Sequence, residues 1–266
     1  MQQHSLEPLY QWFDHYAGTF RLDEPQQHSI LLLKADHSKR VAAEIVMIAQ
    51  DCGLHGRELV LAEASGLLHD VGRFEQFVRF RTFNDRISVN HGQLGVKVLH
   101  DTETLKSFLP EEREVIVEAI SHHNSLRIPD GLGKKSSLMT KLLRDADKLD
   151  IYRILIDQYL ADSKERNSSV HLGVADSDAL SPEIIAQLMR GEIGDYRHLK
   201  TLNDFKLLQL GWVYDINCSF TLRCLMERGY FEKIYATLPR SETTEMIYAR
   251  LQSYIHDRIT RHIDTI

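Results

Sequence analysis

Along most of this chain apolar residues recur three and four positions apart with few breakers between them, a period that calls for helices packed on helices. Only 14 glycines and 6 prolines punctuate the 266 residues. After a polar N-terminal segment, a first firm helix starts near Asp36, carries Val41, Ile45 and Ile48 on one face, and stops around Asp51 to Gly53. Arg57 to His69 forms a second, with Leu61, Ala64 and Leu68 aligned, and it ends at Asp70-Val-Gly72. Phe74 to Ser88 lacks a clean period and reads as an irregular loop or a short helix near a site. His91 to Leu99 and Pro110 to His123 are helices, the latter opened by a proline and two acids that suit a first turn. NSLRIPDGLGKK is a loop, and Ser137 to Leu160 is one long helix. Asp162 to Ser181 reads as a surface connection. Pro182 opens a helix toward Arg190, Arg197 to Glu227 makes one long helix or two, and Tyr248, Leu251, Ile255 and Ile259 mark the last. Strand signals are short and isolated, so the expected class is all-α, with one core. A second helical lobe after about residue 180 stays open, although no flexible linker marks a boundary.

The formal charge of −6, from 38 acidic and 32 basic residues, leaves no basic footprint for general nucleic-acid binding. Cys52, Cys218 and Cys224 match no usual zinc or redox spacing and cannot make a disulfide framework. No basic stretch followed by an apolar core opens the chain, and no window approaches the roughly 18 apolar residues of a membrane span. The expected location is the cytoplasm. The last amphipathic helix can pack on its own chain or on a second copy, so the oligomeric state stays open.

Metal-capable residues gather at or beside helix ends: His37, His69-Asp70, His91, His122-His123 and Asp147. With 14 histidines some clustering arises by chance, and a histidine or aspartate at a helix end often serves only as a cap. The set carries more weight than its members. Imidazole and carboxylate together suit Mn, Fe, Ni, Co or Zn, whereas magnesium, also admitted, prefers oxygen alone. An adjacent His-Asp pair at a helix end can turn both side chains to one centre. Asp147 follows Leu142-Leu143 by one turn on the apolar side of its helix, and a carboxylate on a buried face demands a partner.

These residues resemble the HD superfamily of metal-dependent phosphohydrolases. The first histidine is His37, the doublet is His69-Asp70 in LLHDVGRF, and the distant aspartate is Asp147 in LLRDADKLD. The resemblance covers roughly residues 30 to 155. It implies an all-helical HD-type core over 25–160, with the helices of 161–266 packing on that core rather than forming a clear separate domain. It also implies that His37, His69, Asp70 and Asp147 hold one divalent ion. His91 in VNHGQLG and His122-His123 in EAISHHNS resemble positions that give some branches a second ion. There Asp70 would bridge, His91 and His122 would be ligands, and His123 would be the less firmly assigned. The cyclic-dinucleotide branch differs: it follows the doublet with Ile-Gly-Lys and later carries HHE and Gly-Tyr-Pro, where this chain has HDVGR, HHN and IPDGLGKK.

A bound divalent ion lowers the pKa of water and neutralises phosphoryl oxygens, so the expected activity is hydrolysis of a phosphate ester, as a mono- or diesterase. The expected substrate is a small phosphorylated metabolite, a nucleotide or cyclic nucleotide. Asp70 would fix the ions and orient water, while Arg73 and Lys148 are the favoured phosphate contacts, ahead of Arg79 and Arg81. The ordinary alternative for each cation is a surface ion pair. Trp212, Tyr214 and Phe220 either roof the pocket or fill the core. Two rival functions are a di-iron, oxygen-using enzyme of the same superfamily and a non-catalytic nucleotide-binding regulator. The intact ligand set argues against the second.

Overall fold

The computed structural model describes residues 6–160, 174–175 and 177–263, with the side chains of 262 and 263 excepted. The described residues are helical throughout, apart from connections and one isolated bridge between Ala175 and Thr201. The chain divides into two compact units, Met1–Asp150 and Ile151–Ile266.

The first unit holds α1 (Glu7–Thr19), α2 (Pro25–Asp51), α3 (Arg57–Leu68), α4 (Val71–Phe80), α5 (His91–Asp101), α6 (Pro110–His122) and the first part of α7 (Lys134–Leu160). Helix begins in the N-terminal segment, well before the first firm start expected near Asp36. Two helices lie there, each with proline in its first turn, where a missing N–H costs nothing. Leu9 and Phe13, one turn apart, are buried, and Phe13 meets Phe74 edge-on within a ring cluster that includes Tyr16 and Phe20. Burying a side chain such as Phe13 is worth roughly 1.5–3 kcal/mol, enough to hold a short helix whose own propensity is ordinary.

α2 packs along α3, α3 on α6, and α5 on both α4 and α6. Gly66 makes the first of these contacts close: a β-carbon there would stand 2.7 Å from Ala42 Cα. α6 is tied down at its start. Glu112 accepts from the backbone N–H of Leu109 at 2.9 Å and takes a two-pronged bond from Arg57 of α3 at 2.7 and 2.6 Å. The segment after the doublet becomes a helix from Val71, ended by Arg81 at φ 56°, before an irregular stretch that reaches Asn90.

The second unit holds the rest of α7 with α8 (Pro182–Met189), α9 (Leu202–Gly211), α10 (Ser219–Glu227), α11 (Tyr230–Ala236) and α12 (Glu242–Ile263). α9 packs on α8 and α11, while α12 packs on α8 and α10. Residues 197–227 make two helices separated by a 3-10 turn at Trp212–Asp215. The start of α9 is fixed by Asp204, whose buried carboxylate accepts from the Ser181 N–H and hydroxyl and from the N–H groups of Lys200 and Thr201. Trp212 packs edge-on against Tyr152, and Tyr214 against Tyr254 with its hydroxyl on the Leu188 carbonyl, so both are part of this unit's packing. α11 has no counterpart in the sequence reading. The connection expected over 162–181 lies mostly outside the described residues. Among the described residues, no helix is long and apolar enough to cross a membrane.

Candidate metal centre

The doublet is a joint. His69 closes α3 in helical conformation, whereas Asp70, at φ −105° and ψ 14°, leaves the helix and opens α4. This break turns two neighbouring side chains toward one point. Around it stand His37 from α2, His91 at the first position of α5, His123 just past α6, and Asp147 on α7. Among the described residues, three overlapping groups have ligand atoms within 4.8 Å of one another: His37, His69 and Asp70; His69, His123 and Asp147; Asp70, His91 and His123.

Asp70 divides the set. Its Oδ2 faces His37 Nε2 at 3.7 Å and His69 Nε2 at 3.6 Å. Its Oδ1 faces His91 Nε2 at 3.3 Å and His123 Nε2 at 3.9 Å. Asp147 Oδ1 completes the first side, 3.1 Å from His37 Nε2 and 3.6 Å from His69 Nε2.

Each imidazole is held by its outer nitrogen. Nδ1 of His37 meets Asp150 Oδ2 at 2.6 Å, and Nδ1 of His91 meets Asp85 Oδ2 at 2.7 Å. Nδ1 of His69 and of His123 meet the carbonyls of Gly66 and Ile120 at 2.8 and 2.7 Å. Carbonyls and carboxylates only accept here, so each Nδ1 carries the hydrogen and each Nε2 presents a lone pair inward. The inward atoms then lack partners. Nε2 of His37 and of His69 are buried without a hydrogen bond, and Nε2 of His91 and His123 face each other at 2.9 Å, lone pair to lone pair. A cation resolves both problems, and nitrogen with carboxylate oxygen is the donor set of a divalent transition metal. The residues present therefore fit such an ion.

Both carboxylates are held in their ionised form, while the rings divide. Burial pushes the Asp70 carboxyl up, but Lys34, His69, Arg73 and His91 outweigh it and hold the group well below the carboxylate range. For Asp147, desolvation is likewise overcome, by the close approach of the His37 and His69 rings. Burial, then the neighbouring His91 and His69, lowers His123 to about 3. Burial and Arg73 lower His91. His69 moves the other way: burial opposes protonation, but Asp70 and Asp147 prevail, because two carboxylates beside its Nε2 call for positive charge there.

Of the residues singled out from sequence, His37, His69, Asp70, His91, His123 and Asp147 come together. His122 does not: it is partly exposed and belongs to none of the groups, whereas its neighbour His123 is buried in two of them. Arg144 helps set this orientation by donating to the carbonyls of His123 and Ser125. His123→Ala should accordingly reduce bound metal toward one ion per chain, and His122→Ala should leave it unchanged, as elemental analysis would read. Equal losses from both variants would contradict this placement.

Arg73 lies against the centre, with Nε 3.5 Å from Asp70 Oδ1, but its Nη1 donates to Gln76, Phe83 O and Asp85. Lys148 is partly buried on α7 beside Asp147. Arg79 pairs with Glu75, and Arg81 donates to Gln27, both at the surface. Asn90 caps α5 by accepting from the Gln93 N–H at 3.0 Å. Three residues that contact the ligand set escaped the sequence reading in this role: Lys34, Asp85 and Asp150. Lys34 had a readable signal, since it precedes His37 by three positions on one helix face.

Fold and site together define an all-helical domain built around a histidine and carboxylate centre. Residues 35–152 match the family model of the HD domain, a family whose members are generally metal-dependent hydrolases. No curated protein and no solved structure matches the chain.

Proposed function

We propose that this chain hydrolyses a phosphate ester of a small metabolite, of nucleotide or cyclic-nucleotide class, with two divalent ions. The observation that carries the reading is the division of Asp70, whose two oxygens face separate pairs of imidazole nitrogens. His37, His69, Asp70 and Asp147 would hold one ion, and Asp70, His91 and His123 the other. When bound, such ions supply Lewis acidity, making water a stronger acid at neutral pH and offsetting charge on phosphoryl oxygens. The chain's own residues do the positioning. Asp150 and Asp85 hold the rings of His37 and His91 and fix their orientation. Arg40 fixes Asp150 with bonds of 2.6 and 3.0 Å, while Arg73 and Gln76 fix Asp85 at 3.0 and 2.8 Å. Arg73 thus acts chiefly as a support for the second ring, and Asp70 orients water from its position between the two groups.

The test is a panel of phosphomonoesters, phosphodiesters, nucleoside monophosphates and cyclic nucleotides, assayed with manganese, cobalt, nickel, zinc, iron and magnesium in turn. Release of phosphate or of a nucleoside monophosphate should depend on added metal and vanish with a chelator. Absence of turnover with every ion would refute the reading. The nitrogen-rich pairing of His91 with His123 also favours a second reading, in which two irons use oxygen on the same scaffold. Oxygen consumption by the iron-loaded chain, with no hydrolysis under other metals, would put that reading first.

A further inference from the structure

A phosphoryl group approaching this centre needs a cation with unspent donors. Arg73 keeps an unpartnered Nε 3.5 Å from Asp70 Oδ1, but its guanidinium is pinned beside the second ring by Nη1, which serves acceptors at 2.8, 2.6 and 3.0 Å in Gln76, Phe83 and Asp85. Lys34 is differently placed. It sits on α2 one turn before His37, with Nζ 2.8 Å from Asp70 Oδ2, the oxygen that also faces His37 and His69. Its side chain is 17% exposed against 4% for Asp70, so it lies between the buried carboxylate and solvent. The ammonium also stands over the Phe83 ring, 5.4 Å from its centroid. Those two contacts use one of its three N–H donors and a ring face.

We propose that Lys34 is a phosphate-holding residue of this centre, its ammonium taking a non-bridging oxygen of the substrate's phosphoryl group. The inference rests on the phosphohydrolase reading above. Once a divalent ion meets the charge of Asp70, the ammonium becomes surplus positive charge beside the reacting position, with donors left for an anion arriving from solvent. A compact charge with three rotatable donors suits a tetrahedral phosphoryl group and needs no fixed plane. The ordinary role for such a lysine is counter-ion to Asp70, and the two roles separate experimentally.

The experiment uses the full metal-loaded chain and inorganic phosphate, with binding measured by calorimetry, metal per chain by elemental analysis, and folding by thermal melting. Lys34→Met should keep the metal content of the unmodified chain and bind phosphate about tenfold more weakly or worse, the scale of one lost charge-assisted hydrogen bond. Lys34→Arg should hold phosphate within about threefold, since charge and donors remain. Lys34→Gln repeats the comparison should the methionine variant not fold. Undiminished phosphate binding by the neutral variants, or loss of metal from them, makes Lys34 a counter-ion and overturns the inference. If instead the unmodified, metal-loaded chain binds no phosphate, the phosphohydrolase reading falls, and the role of Lys34 falls with it.

Discussion

Asp70→Asn should strip the centre of metal and of activity together, by more than the roughly 10–100-fold typical when an outer hydrogen-bond partner is lost. The reason is geometric. One carboxylate oxygen looks toward His91 and His123, and the other toward His37, His69 and Lys34. An amide keeps a single acceptor and no charge. Whichever way it turns, its NH2 meets either one imidazole pair and an incoming ion or the Lys34 ammonium. Elemental analysis should show neither ion retained, while circular dichroism should still show a helical chain. Asp85→Asn is the milder companion, because it weakens only the support of His91, and its loss should stay within about 10–100-fold. Two ions per chain in Asp70→Asn would mean that the aspartate does not bridge.

Gly72→Ala should damage the protein through packing alone. A β-carbon at Gly72 would stand 2.2 Å from the His91 carbonyl oxygen and 2.6 Å from the Gly95 nitrogen. Both are backbone atoms, so no side chain can swing away, and α4 must part from the start of α5. Overpacking of this kind costs about 1–3 kcal/mol, or a fall of about 2–12 °C in melting temperature for a unit of this size. The displaced element begins at His91, so the ion shared by His91 and His123 should be lost first, and metal content should fall toward one per chain. Gly95 makes a sharp control: across the same contact its β-carbon would find its nearest neighbours at an ordinary 3.4 Å, and Gly95→Ala should be close to neutral. Equal melting temperatures for the two variants would show that α4 and α5 have room to spare.

The histidines and aspartates of the centre were legible in sequence through their fixed order, a pattern that survives without coordinates, although His37 and Asp147 stand in the middle of α2 and α7 rather than at helix ends. The choice between His122 and His123 was not. Adjacent residues at a helix end differ by about 100° in direction, and only the packing of α6, with Arg144 on the turn beyond it, decides which one faces inward. Gly72 was visible as part of HDVGR, but its reason was not, since a helix stop and a close helix contact leave the same letter. Asp85 lay in the stretch without a period, where contacts are made by irregular chain. Asp150 is one more charge in LLRDADKLD, and only packing shows it buried against His37 and Arg40. The first helix was hidden for an energetic reason: Leu9 and Phe13 give too short a pattern, and its stability comes from rings outside it, Phe20 at its end and Phe74 far along the chain. In the second unit the break at Trp212 carries no proline and left the count of helices open.

The six donors of the centre come from five separate places in the first unit, from His37 on α2 to Asp147 on α7, with only His69 and Asp70 adjacent. An ion held there is a detachable crosslink, closing several loops at once in the way a covalent bridge closes one. Loop closure costs only slowly more as loops lengthen, so the wide spacing of the donors is no handicap to such a link. Its strength is set by supply: with free ion at about 100 times its dissociation constant, the folded form gains roughly 2.7 kcal/mol over the unfolded one. If the proposed ions are the working ones, durability and readiness for catalysis are governed together, and a starved chain would be weakened as well as idle.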